Sequence, residues 1–93
     1  MLSKIFKSKQ KKDCKKGDFF AILKGKYAGE FWILMSDTEK NFNFLSLPDM
    51  KKIEVPKEKI DIGINLKIMD FIQNIPNKVF KVCEIQYKNI KSK

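Results

Sequence analysis

The chain has 93 residues, 43% hydrophobic and 12% aromatic, with 20 lysines against 11 acids and neither arginine nor histidine. That size allows one domain, near the lower limit at which a single core holds without disulfides or metal. No apolar run approaches the ~18 residues needed to span a bilayer, and without histidine the usual general base near neutral pH is missing.

The charge is unevenly spread. Residues 1–16 hold seven lysines against Asp13, a net +6, whereas residues 17–93 hold 13 lysines against 10 acids, a net +3. The chain therefore divides into a basic N-terminal arm, residues 1–15, and one folded domain, residues 16–93. A lysine-rich arm is drawn to polyanions, whether phosphate backbones or anionic lipid, and it also keeps a small protein soluble. Within the arm Leu2, Ile5 and Phe6 share the spacing of one helical edge, suited to docking on the domain. The opening MLSKIFKSKQKK has no apolar segment of about 7–15 residues after its charges, so a secretory signal is not expected. Cys14 and Cys83 show no C-x-x-C spacing, and the reducing cytoplasm is the expected compartment.

From Gly17 onward the pattern becomes β-like. Residues 18–24 (DFFAILK) and 30–36 (EFWILMS) are aromatic and aliphatic runs bounded by Gly17, Gly25 and Gly29, as strands are. A polar connection at 37–41 leads to a third strand over 42–47, ended by Pro48. Residues 51–55 (KKIEV) and 60–64 (IDIGI) alternate and read as the fourth and fifth strands, with a one-turn connection after Pro56 between them. Asn65 is then the expected N-cap of a helix carrying Ile68, Phe71, Ile72 and Ile75 on one face. Over 77–91 the β-branched content would suit a strand, but Val79, Val82, Cys83, Tyr87 and Ile90 form a helical stripe, and Pro76 with the segment's length favours a second helix there. The first two strands are apolar on both faces: Phe19, Ala21 and Leu23 against Phe20 and Ile22 in the first, and Phe31, Ile33 and Met35 against Trp32 and Leu34 in the second. One face should line a core, and the other should lie under the C-terminal helices, with Trp32 beneath that cap. The expected fold is α+β: a small five-stranded antiparallel β-barrel with a C-terminal helical cap.

Two pieces carry a resemblance. Gly17-Asp18, a strand, Gly25-Lys26-Tyr27-Ala28-Gly29 and a second strand resemble the KOW version of the Src-homology-3-like barrels, found in ribosomal and transcription-elongation proteins. Val55-Pro56-Lys57-Glu58-Lys59-Ile60 is similar to the proline, one-turn helix and last strand that close such barrels. The likeness covers residues 16–64. It implies that the turn between the first two strands contacts RNA or protein, and it carries a contact role to Lys24, Lys26 and Tyr27. The paired tryptophans and acidic loop of the peptide-reading members are missing.

The residues otherwise argue for binding rather than catalysis. The serines have no G-x-S-x-G context, the acids form no D-x-D or E-x-x-H pair, and the Gly25–Gly29 segment is not a phosphate-cradling P-loop. No catalytic residue, metal ligand or cofactor is assigned, and the chain is read as not an enzyme. The candidate contact residues are Lys9, Lys11, Lys12, Lys15 and Lys16 of the arm with Lys24, Lys26 and Tyr27 of the turn. Tyr27 is expected at the loop tip with little to pack against. The lysines ringing Cys14 favour its thiolate, and Cys83 is expected to pack as a small hydrophobe. Two functions fit. One is a basic module contacting nucleic acid, or a nucleoprotein assembly, with little sequence specificity, because lysine is a point charge on phosphate and lacks arginine's fork. The other is a protein-interaction or inhibitory accessory protein of a phage or mobile element. Neither involves a membrane.

Overall fold

The computed structural model describes residues 14–90. Four strands follow one another: β1 (Asp18–Ile22), β2 (Phe31–Asp37), β3 (Asn41–Leu47) and β4 (Lys51–Pro56). Helix α1 (Lys57–Asn65), strand β5 (Met69–Asn74) and helix α2 (Asn77–Asn89) complete the order. All pairings are antiparallel, in the sheet order β4-β3-β2-β1-β5. The first four strands thus form a meander, and β5 returns to the open edge of β1. The architecture is α+β: a five-stranded antiparallel sheet with two helices. Strands β4 and β5 are its two edges and do not pair, so the sheet does not close into the expected barrel by hydrogen bonding. Helix α1 touches both edges instead.

The two-faced strands behave as their sequence requires. Phe20, Ile22, Trp32, Leu34, Phe42 and Phe44 form one core with Ile60 of α1 and Met69 of β5. Edge-to-face contacts, such as Phe20 with Phe44 at 5.9 Å, organise it, as ring quadrupoles favour. Ile33, Met35, Leu45 and Ile75 form a second core on the opposite face, covered by Phe80, Cys83 and Tyr87 of α2 and by Ile90 just past its end. One C-terminal helix, rather than two, supplies that cover. Trp32 points away from it and lies in the first core, a correction to its expected place beneath the cap. Cys14 packs against the first core and Cys83 against the second. The two thiols therefore sit on opposite sides of the sheet and are not bridged.

The largest corrections concern residues 57–75. The segment read as a fifth strand, Ile60–Ile64, lies inside α1, and the segment read as a helix after Asn65 contains β5. Asn65 ends α1 and caps nothing at its start. Isoleucines at 60, 62 and 64 satisfy the strand period, but 60 and 64 also satisfy i, i+4. Packing selects the helix because it buries Ile60 to 1% exposure while leaving Ile62 at 53%. It also brings Gly63 onto Met69, where a Cβ would stand 3.3 Å from Sδ. The chain leaves α1 through Lys67 at φ 62°, with Ile68 N–H donating to Gly63 C=O at 2.8 Å. In β5, Met69 pairs with Ile22 and Phe71 with Phe20, and the register shifts between Phe19 and Phe20. That bulge takes up one residue, Ile72, so a strand acquires the apolar spacing of a helix.

Candidate binding surface

The root of the arm is tied to the sheet through a buried carboxylate. Asp18, 1% exposed, accepts a hydrogen bond from Lys15 N–H at 2.9 Å. It accepts another from Asn74 Nδ2 at 2.8 Å, and the same amide donates to Lys16 C=O at 3.1 Å. The Lys15 and Lys16 side chains stay exposed at the start of β1. Lys9, Lys11 and Lys12 lie outside the described residues, as do Leu2, Ile5 and Phe6.

The β1–β2 loop leaves the other end of β1. Gly25 and Gly29 have φ of 90° and 96°, a region other residues reach only with strain, and this lets the loop fold back onto the sheet. Gly29 N–H then donates to Ile22 C=O at 2.9 Å and Glu30 N–H to Tyr27 C=O at 3.1 Å. Folding back corrects the picture of Tyr27 as an unpacked tip. Its half-buried ring meets Trp32 edge-on, with centroids 5.6 Å apart. The Lys26 ammonium lies 5.4 Å and the Lys51 ammonium 5.8 Å from the same ring centroid.

Glu30 holds this corner together. Its Oε1 accepts from the Ser46 hydroxyl at 2.7 Å and from Trp32 Nε1 at 3.1 Å. Its Oε2 lies 3.6 Å from Lys51 Nζ. The Ser46 and Trp32 hydrogen bonds, with the Lys51 charge adding to them, hold its pKa below the usual carboxylate value. The indole is thereby fixed in orientation beneath the tyrosine.

A groove of about 360 Å³ opens beside this corner, between the loop and α1. Its apolar walls come from Ile22, Trp32, Val55, Ile60, Ile62 and Met69, while Lys24, Lys26 and Lys59 line its mouth with exposed side chains. No Asp or Glu lines it. Among the described residues the ion pairs belong to Lys51 and Lys57, and none involves Lys24, Lys26 or Lys59. Chemically the arrangement attracts an anion and offers an apolar group a place out of water.

Sequence reasoning had grouped the arm and loop lysines, but the fold separates them. Lys15 and Lys16 stand at one end of the five-residue β1 and Lys24 and Lys26 at the other, roughly 16 Å along the strand. It also missed Lys51 and Lys59. The hairpin signal could have found Lys51, since the register pairs Ser46 with both Trp32 and Lys51. Lys59 becomes visible only once residues 57–65 are known to be a helix. The chain matches no known family model, no curated protein and no solved structure.

Proposed function

We propose that this chain is a small, basic, non-enzymatic binding module of the cytoplasm that contacts nucleic acid, alone or within a nucleoprotein assembly, with little sequence preference. The charge distribution carries the reading: six of nine net positive charges fall in residues 1–16. The hydrogen bonds that Asp18 accepts from Lys15 N–H and Asn74, and that Asn74 donates to Lys16 C=O, tie down the backbone from which Lys15 and Lys16 project. Lys9, Lys11, Lys12, Lys15 and Lys16 are the phosphate contacts. With no arginine to grip guanine bidentately, affinity comes from counterion release and not from base readout. The strand order and the helix between β4 and β5 support an open form of the Src-homology-3-like module, with the Gly25–Gly29 turn similar to that of KOW domains. Fold likeness supports the class and leaves the task to the site.

The test is affinity for duplex DNA as a function of salt. If about five phosphates are neutralised, log affinity should fall against log salt with a slope of roughly −4 to −5. Changing the five arm lysines to glutamine should flatten that slope. An absence of DNA or RNA binding at low salt would end this reading.

A further inference from the structure

What sets Lys24, Lys26 and Lys59 apart is that they converge on one apolar groove. Most lysines of the domain share their lack of an ion pair among the described residues, Lys51 and Lys57 excepted. Lys57 is neutralised by Asp37 at 2.9 Å, and Lys51 by Glu30 at 3.6 Å and Asp49 at 3.7 Å. Lys24, Lys26 and Lys59 have no such carboxylate among the described residues, and they stand together around an apolar floor. Three like charges left in proximity repel one another and favour an anionic occupant. We propose that this groove docks an acidic segment of a partner protein, which inserts apolar side chains between the β1–β2 loop and α1 while its carboxylates meet the three lysines. The surface is separate from the nucleic-acid contact proposed for the arm and does not depend on it.

The floor decides between a protein segment and a nucleobase. Ile22, Val55, Ile60, Ile62 and Met69 offer no hydrogen-bonding side chain, and the one indole N–H at the groove is already given to Glu30. A base laid on this floor would find side-chain hydrogen-bond partners only at the mouth, among Tyr27 and the lysines, and any polar atom turned to the floor would stay unpaired at a desolvation cost. A leucine or phenylalanine side chain carries no such cost. At about 360 Å³ the groove exceeds twice the ~150 Å³ that encloses one benzene-sized group, so it takes more than one such side chain. The walls are preorganised. Tyr27 rests on Trp32, Trp32 is hydrogen-bonded to Glu30, and Ile60 is anchored in the core. Ile62 and Leu66, one turn apart on and just past α1, are 53% and 58% exposed and extend the apolar surface outward from the floor.

The experiment is selection of 12-residue peptides from a random display library against the full chain. Trp32 emission then serves as the readout, since it is the chain's one tryptophan and lines the groove. Selected binders should combine Asp or Glu with Leu, Ile or Phe and should shift Trp32 emission. They should lose at least tenfold in affinity to the Lys59→Glu chain and to the Ile62→Ser chain. Both positions are exposed, so both variants should fold, as unchanged circular dichroism and melting would verify. Binding should persist when the five arm lysines are glutamine. The proposal is overturned if no binder is enriched, if binders lack acids, or if Lys59→Glu and Ile62→Ser leave affinity unchanged. It is equally overturned if a dT15 oligonucleotide shifts Trp32 emission and Ile62→Ser abolishes that shift, because the groove would then belong to nucleic acid.

Discussion

Glu30 links a carboxylate's protonation state to the shape of the groove. Hydrogen bonds from Ser46 and Trp32 and the charge of Lys51 lower its pKa, so the folded state prefers the ionised form more than the unfolded chain does. That preference stabilises the fold above the ordinary carboxylate range near ~4.3 and is lost as pH falls through the folded value. At the alkaline limit the sign reverses. Burial raises the Cys83 thiol, and burial with the Glu54 charge raises the Tyr87 phenol. Their contribution is complete below the unfolded thiol value near ~8.5 and declines as pH rises beyond it. Melting temperature should therefore fall at both ends of the pH range. In the Glu30→Gln chain the acid limb should be shallower, and an acid limb identical to wild type would show that Glu30 does not contribute to it. The bulge in β5 makes a second prediction at this scale. Phe71 packs edge-on against Phe20 at 5.7 Å, whereas Ile72 is 44% exposed. Phe71→Ala should cost about 2–4 kcal/mol, and Ile72→Ala less than about 1 kcal/mol. Equal losses in denaturant melts would restore the helical reading, in which both face a core.

Among the elements, α1 is held by contact more than by propensity. Its sequence KEKIDIGIN contains four β-branched or glycine positions, weak helix formers, and it starts directly after Pro56 with no side-chain cap. Its stability comes from Ile60 in the core and from Gly63 lying against Met69. A Cβ at 63 would stand 3.3 Å from Met69 Sδ and 3.4 Å from its Cγ, so Gly63→Leu should destabilise by about 1–3 kcal/mol by crowding Met69. Met69→Ala in the same chain should recover part of that loss, a coupling that a double-mutant cycle on melting free energies would measure. Additive losses would mean that the close approach is absent. Helix α2 is the counterpart on the other face. Cys83, Tyr87 and Ile90 meet the second core as their stripe predicts, but Phe80 joins them there in place of Val79 and Val82, which are 45% and 59% exposed. The sequence thus located the helix and misplaced the first turns of its packed face. The residues of α1 and β5 did not locate their elements. Ile60, Ile62 and Ile64 fit two periods at once, and the β5 bulge disguised a strand as a helix. Local pattern could not choose between them, because the choice depends on the unpaired edge of β1 and on the space beside Met69.

Across the whole molecule, the excess positive charge falls in residues 1–16 of the sequence, whereas the groove, apolar with Lys24, Lys26 and Lys59 at its mouth, lies past the C-terminal end of β1. A basic arm without arginine should bind duplexes of equal length but different sequence within about threefold of one another at a given salt concentration. Titration of two such duplexes at 50 and 200 mM salt would measure this, and a tenfold preference would point to base readout by groups outside the arm. The amino-acid sequence alone determined the β-rich opening, the two apolar faces of β1 and β2, the glycine-bounded loop and the imbalance of charge, and it favoured a helix over 77–91 without excluding a strand. All of these are written in neighbouring residues, through period, glycine placement and composition. The tertiary structure alone decided that residues 57–65 are helical, that β5 joins β1, and that Tyr27 lies down on Trp32. It also decided that Lys24, Lys26 and Lys59 share one groove. Each of these rests on contacts between residues distant in the chain, where burial of Ile60, Gly63 and Met69 outweighs local preference, and no local pattern encodes what packing supplies.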